Sequence, residues 1–267
     1  ASARPQRLAR RLRMRADASM ENRIVYCHGL PGSPDELAAF DRPLPSNIVA
    51  LDRLARQGET YEARVLSAFD MLDLEGPSTV AGFSLGAMAA IHIAARRPSR
   101  VRKLVLISPA APLELGDFLP AMAGRPVFEA AQRRGASLRL LSTAQWIASW
   151  LAPSATMDLM FRTSSRSEKV LCIMPRFRAA VIGALRRCTG SAFAAYRDEL
   201  RAFVQPWQTV VDAVQCPVEI WHGDADTWAP LAMAQALRAR LGDRASLNVC
   251  EGLGHYSTLD AVSRKWG

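Results

Sequence analysis

Three residue types in this chain could together carry out nucleophilic acyl chemistry: a serine set between two glycines, a carboxylate, and a histidine near the C-terminus. Ser84 stands in Gly82-Phe83-Ser84-Leu85-Gly86, His255 follows Gly254, and Asp224 and Asp226 lie between them in the chain. A serine hydroxyl is a poor nucleophile at neutral pH. An imidazole within hydrogen-bond reach takes its proton and later returns it to the leaving group. A carboxylate on the far side of the imidazole fixes its tautomer and stabilises the imidazolium. On residue type alone, either Asp224 or Asp226 could supply that carboxylate.

Such residues must be brought together by the elements that carry them. Thr79-Val80-Ala81 is a short apolar run, β-branched at its first two positions, and the Ala-rich run after Gly86 continues until Pro98. This reads as strand, sharp turn and helix, with Ser84 at the apex. Gly82 and Gly86 flank it because side chains there would collide with the crossing strand and helix. The helix starts directly under Ser84, so its free N–H groups point at the reaction centre.

The same rhythm extends along the chain. Ile24-Val25-Tyr26-Cys27 is the first strand and runs straight into His28-Gly29-Leu30-Pro31-Gly32-Ser33. Asn47 to Leu51 is a second strand. A helix follows, with Thr60 as its N-cap and Tyr61, Val65, Phe69 and Leu72 on one face. Further strands are expected at Lys103 to Ser108, Pro217 to His222 and Ala245 to Cys250, with a helix from Leu231 to Leu241. His255 falls in the last loop, Glu251 to Ser257. Strands alternating with helices imply a parallel sheet with right-handed crossovers. Between Pro112 and Gln215 no strand pattern appears. That stretch reads as several helices broken at Gly135, Pro153, Pro175, Gly190 and Pro206, with basic pairs at Arg133-Arg134 and Arg186-Arg187.

With these contexts in place, four separated stretches resemble the α/β-hydrolase family. Gly-Phe-Ser-Leu-Gly is similar to its nucleophile elbow. His-Gly-x-Pro-Gly after the first strand is similar to its oxyanion loop, which implies that the backbone N–H groups of Leu30 and Leu85 hold an oxyanion. His222-Gly223-x-x-Asp226-x-x-x-Pro230 resembles the acid loop and selects Asp226, leaving Asp224 as a turn-former bonded to its own backbone. His255 stands where the family keeps its histidine, and Ser84, Asp226, His255 follow the family's order. Of the other histidines, His28 belongs to the oxyanion loop, His92 faces away from the elbow, and His222 reads as structural. One departure is that nothing before Arg23 alternates like a strand, where the family has two more.

The resemblance implies an α/β fold: a mostly parallel sheet of about six strands flanked by helices, with an inserted helical cap. Residues 23–111 and 216–267 form the hydrolase core, 112–215 the cap, and 1–22 a basic extension. The implied activity is a serine esterase acting through an acyl-enzyme, needing no cofactor and no metal. Two alternatives stand beside it. One is a C–C hydrolase or lyase of the same fold acting on an anionic substrate; the other is a non-catalytic ligand receptor.

Bulk properties narrow the partners. Residues 1–19 carry six arginines against Asp17, so the formal net charge of +9 rests largely on that segment. No aromatic-interleaved basic motif is present, which argues against nucleic acid as the partner and for a small-molecule substrate. No apolar run approaches the ~18 residues of a membrane span. The five cysteines form no C-x-x-C pair and are odd in number. That favours free thiols and a reducing, cytoplasmic setting. Oligomeric state is left open by the sequence.

Overall fold

Along strand β1 (Ile24–Cys27), side chains alternate between two apolar layers, Ile24 and Tyr26 on one side and Val25 and Cys27 on the other. The same division runs through β3 (Ser78–Phe83) and β4 (Val101–Ile107): Val80, Leu104 and Leu106 join one layer, Ala81, Phe83, Val105 and Ile107 the other. A sheet buried on both faces reads as continuous apolar runs, as Ile24–Cys27 and the Leu104–Ile107 end of β4 do. The computed structural model describes residues 23–55, 60–133 and 135–266.

With β2 (Ile48–Ala50), β5 (Val218–Gly223) and β6 (Ala245–Cys250), the strands form one six-stranded sheet in the order β2-β1-β3-β4-β5-β6. Every pairing is parallel. The order reverses at β1, so the loops after β1 and β3 open side by side at the carboxyl ends of the strands. That crevice is where open α/β sheets bind ligands.

Helix α1 (Tyr61–Asp70) starts at Thr60, whose hydroxyl accepts from Ala63 N, and buries Tyr61, Val65 and Phe69; Leu72 lies just beyond its end. Helix α2 (Gly86–Arg96) follows the Ser84 turn and is buried along nearly its whole length. Between β4 and β5 the chain is helical among the described residues. It holds α3 (Arg125–Gln132), α4 (Ser137–Leu151), α5 (Pro153–Met160), α6 (Arg166–Cys172), α7 (Pro175–Thr189), α8 (Phe193–Phe203) and α9 (Gln208–Asp212). Each expected break is present. Gly135 takes a left-handed φ of 113° between α3 and α4, Pro153 and Pro175 open helices, and Gly190 ends α7. Helices α10 (Leu231–Leu241) and α11 (His255–Ser263) complete the chain.

Several boundaries differ from the sequence reading, and β5 lies one residue later than expected. β2 is shorter than expected, and β4 starts two residues earlier, at Val101. His255 is not in a loop but is the first residue of α11. The turn is shorter than the Gly-rich segment suggested, because Ser257 Oγ accepts from Gly254 N and so closes the helix start. The basic extension over 1–22, the expected lack of strands before Arg23, and Arg134 fall outside the described residues. All five cysteines are free thiols, with Cys27 and Cys188 fully buried. Burial pushes both of these thiols up to about 12, which makes them inert packing groups. Among the described residues, no helix is long and apolar enough to cross a membrane.

Candidate active site

Ser84 sits at the end of β3 with φ of 55°, a left-handed value that a non-glycine residue adopts only when its surroundings hold it there. Its N–H donates to Ile107 O at 3.0 Å, and its carbonyl accepts from Ala87 N at 3.0 Å. The flanking glycines have clear reasons. A Cβ on Gly82 would stand 2.6 Å from Gly86 O, and one on Gly86 would stand 2.2 Å from Cys27 O. The turn therefore lies against the end of β1, and any side chain at Gly86 would push the two apart.

Leu30 and Leu85 are the residues on either side of the cleft. Leu30 lies in the loop after β1, and Leu85 immediately precedes α2. Gly29 in that loop is clamped at both ends of its backbone. Its N–H donates to Glu36 Oε2 at 2.9 Å, and its carbonyl accepts from Arg53 Nη2 at 3.3 Å. Glu36 also accepts from the Tyr26 hydroxyl at 2.5 Å. Burial is the main cause that pushes the Glu36 carboxyl up to about 7, against the pull of those two donors. Arg53 is in turn held by Glu199 of α8, through Nε at 3.0 Å and Nη2 at 2.7 Å. His28 turns its Nδ1 back on Gly29 O at 2.8 Å and is fully buried, so it shapes the loop from beneath.

Asp226 and His255 form a buried pair. His255 Nδ1 donates to Asp226 Oδ2 at 2.7 Å, with side-chain exposures of 2% and 0%. With the proton on Nδ1, the lone pair of the imidazole is on Nε2. The other carboxylate oxygen, Oδ1, accepts from Trp228 N at 2.8 Å and Ala229 N at 3.0 Å. Burial alone would raise the Asp226 carboxyl, but the facing His255, its hydrogen bond, His222 and the Ala229 N–H together hold it below the ordinary value. Ser108, at the end of β4, donates through Oγ to His255 O at 3.3 Å. The imidazole lies between Phe83, 4.6 Å away centroid to centroid, and Trp228, stacked at 5.8 Å with planes 12° apart.

Asp224 is exposed and accepts from Gly252 N at 2.7 Å. It bonds the loop after β6 rather than its own backbone, a correction to the expectation from the local pattern. His222 is fully buried, donates through Nε2 to Ala229 O at 2.8 Å, and so buttresses the Asp226 loop. His92 pairs with Glu62 at 3.0 Å, two turns into α2.

Ser84, Leu30 and Leu85 share the wall of one cavity of about 470 Å³. The rest of its wall is mostly apolar and comes from the helices between β4 and β5, including Met122, Phe128, Leu159 and Leu185. Trp228 reaches the same cavity from its stack on His255. Besides Ser84, polar side chains interrupt the lining at Gln145, Arg162, Thr163 and Tyr196. Among the described residues no group of three or more His, Cys, Asp or Glu side chains could hold a metal ion.

Glu36, Arg53 and Trp228 were not legible as site residues in the sequence. Trp228 lies inside the acid-loop pattern and could have been singled out. Arg53 and Glu36 carry no local signal, since each acts through partners distant in the chain.

A sequence model described as the alpha/beta hydrolase family matches residues 24–264. A pimeloyl-[acyl-carrier protein] methyl ester esterase of Aromatoleum aromaticum is 29% identical over 253 residues, covering 88% of this chain and 92% of that one. A thermophilic esterase from Thermogutta terrifontis superposes with a TM-score of 0.62 at 16% identity, covering 92% of this chain and 86% of its own. A bromoperoxidase from Bacillus anthracis superposes equally well, at 0.62 and 16% identity, over 92% and 88% of the two chains. At such identities the two superpositions establish the fold alone.

Proposed function

Because this chain belongs to the alpha/beta hydrolase family, we propose that it is a serine hydrolase cleaving small-molecule carboxylic esters through an acyl-enzyme on Ser84. The observation that carries the reading is the buried Asp226–His255 hydrogen bond, set beside a cavity into which Ser84 is turned at a left-handed φ. The relative named for hydrolysing a methyl ester supports the bond type.

In this reading His255 Nε2 takes the Ser84 proton as Oγ attacks the ester carbonyl. The Leu30 and Leu85 N–H groups hold the oxyanion, each contributing about 10²–10³ in rate. The imidazolium, stabilised by Asp226, then protonates the leaving alcohol, and water resolves the acyl-enzyme by the same route. The helices over 112–215 act as a lid whose apolar lining selects the acyl or alcohol group. Arg162, an exposed residue at the cavity wall, has no ion-pair partner among the described residues, which favours substrates with one negatively charged end. That observation also supports the second reading, a C–C hydrolase acting on an anionic substrate.

The test is labelling by a fluorophosphonate probe together with turnover of neutral and carboxylate-bearing p-nitrophenyl esters. Ser84→Ala is expected to abolish labelling and lower turnover by about 10³-fold or more. Labelling that persists in that variant overturns the reading. Labelling without turnover of any ester moves the weight to the C–C reading.

A further inference from the structure

Glu168 belongs to α6, far in sequence from every residue of the candidate triad, and is only 1% exposed. A carboxylate so deeply buried is costly unless donors meet it, and here one oxygen has a specific donor while Oε2 has no hydrogen-bond partner among the described residues. Its Oε1 accepts from Ser257 N at 2.6 Å, and Ser257 is the third residue of α11. The Tyr256 N–H also faces the carboxylate. Gly254 makes the approach possible: a Cβ there would stand 2.4 Å from Glu168 Cγ. A chain of hydroxyls fixes the contact. Ser257 Oγ donates to Ser167 Oγ at 3.1 Å, and Ser167 Oγ donates to Gly252 O at 2.9 Å.

The first residue of α11 is His255. A helix N-terminus carries a partial positive charge, which opposes a cation placed there. Yet the general base must become an imidazolium in every turnover. Glu168 brings a negative charge to that helix end.

We propose that Glu168 is a positioning residue for His255, holding the N-terminus of the base-bearing helix and stabilising by its charge the imidazolium that His255 becomes. This rests on the triad reading above. It also ties the helices over the cavity to the base, since α6 lies between β4 and β5 while α11 follows the sheet.

Other groups face the pair from each neighbouring element. Asp226 binds His255 Nδ1, and His222 stands 3.6 Å from the same Asp226 oxygen. Glu36 faces the imidazole from the turn after β1. Cys172 and Tyr256 face Glu168. Asp226 stays in place when Glu168 is changed, so the effect sought is an increment on an intact pair. Burial pushes the Glu168 carboxyl up, and the Ser257 N–H and the facing imidazole offset only part of that rise.

Glu168→Gln separates charge from contact, because the amide oxygen can still accept from Ser257 N. The imidazole of His255 is titrated by NMR, its signal identified by its absence in His255→Gln. In Glu168→Gln the midpoint is expected about half a pH unit or more below that of the wild type, as the imidazolium loses its countercharge. The acid limb of kcat/KM on a p-nitrophenyl ester is expected to move the same way, with kcat down about 3- to 10-fold and KM unchanged. A folded Glu168→Gln with the wild-type midpoint overturns the proposal and leaves Glu168 a structural cap. If that variant does not fold, Glu168→Met, which removes the charge and fills a similar volume, decides: a lowered midpoint supports the proposal, an unchanged one overturns it. The NMR readout needs no turnover, so a missing esterase activity would sink the serine-hydrolase reading without altering the measured midpoint.

Discussion

Asp226 is held between opposing effects: burial, which favours its neutral acid, and a histidine with two backbone N–H donors, which favour its charge. The donors win, so the carboxylate is available to orient His255. Asp224, two residues away, is exposed and ties down only the loop at Gly252. Asp226→Asn is expected to lower kcat by about 10⁴ with the fold retained, because the imidazole loses its tautomer control. Asp224→Asn is expected to change kcat less than about 10-fold, within what a loosened loop allows. Steady-state kinetics on both variants checks this, and a larger loss in Asp224→Asn would misplace the acid. The candidate triad Ser84, Asp226 and His255 can be singled out in the sequence because the chemistry proposed for it demands fixed residue types next to turn residues with steric duties. Gly82, Gly86 and Gly254 each stand where a Cβ would meet another atom at under 3 Å. Glu168 carried only the Ser-x-x-Glu signature of a helix start. Its carboxylate goes instead to a helix 89 positions away in sequence, which no local pattern encodes.

At the scale of elements, the loop after β1 depends on a short 3₁₀ turn, Glu36–Phe40, which returns Glu36 beneath it. Glu36 fixes Gly29 next to Leu30. Its carboxyl is pushed up to about 7 in the folded protein, largely by burial. An unfolded glutamate titrates near 4.3, so between these values the folded state binds the extra proton. Its contribution to stability is therefore complete below about pH 4 and is lost as pH rises through about 7, by about 4 kcal/mol at most. Glu36→Gln can keep both donors on its amide oxygen and removes the titration. Thermal melts at pH 5 and pH 8 are expected to show a smaller loss for this variant than for the wild type. Equal losses would mean that Glu36 stays charged across the range. The strand before this loop and the helix face of Tyr61, Val65 and Phe69 were legible from periodicity, and the turn between them was not, since its purpose is a single buried hydrogen-bonding oxygen.

Across the whole molecule, the sheet and the helices between β4 and β5 are joined at buried polar contacts under the loop after β1. Arg53 follows β2, Glu199 lies on α8, and both side chains are 0% exposed. A second joint, Asp52 with Arg187 of α7 at 2.7 Å, is partly exposed and contributes little by comparison. The Arg53–Glu199 pair spans 146 positions in sequence. In the run Arg197-Asp198-Glu199-Leu200-Arg201 it reads as an ordinary charged helix face, which is why the joint could not be foreseen. Burial by itself would draw the Arg53 guanidinium down, but the Glu199 carboxylate more than restores it. Replacing one member strands a buried charge, so Glu199→Gln is expected to cost about 3–5 kcal/mol in urea unfolding. Replacing both with apolar side chains, Arg53→Met with Glu199→Leu, removes the stranded charge and is expected to recover most of that loss. Activity is expected to follow a different course. Gly29 O loses its Arg53 donor in the double variant, the backbone beside Leu30 loosens, and kcat is expected to fall about 10-fold while stability returns. A double variant that recovers stability and full kcat together would show that the joint serves only to hold the two parts of the fold, and that Glu36 and His28 position the Leu30 loop without Arg53.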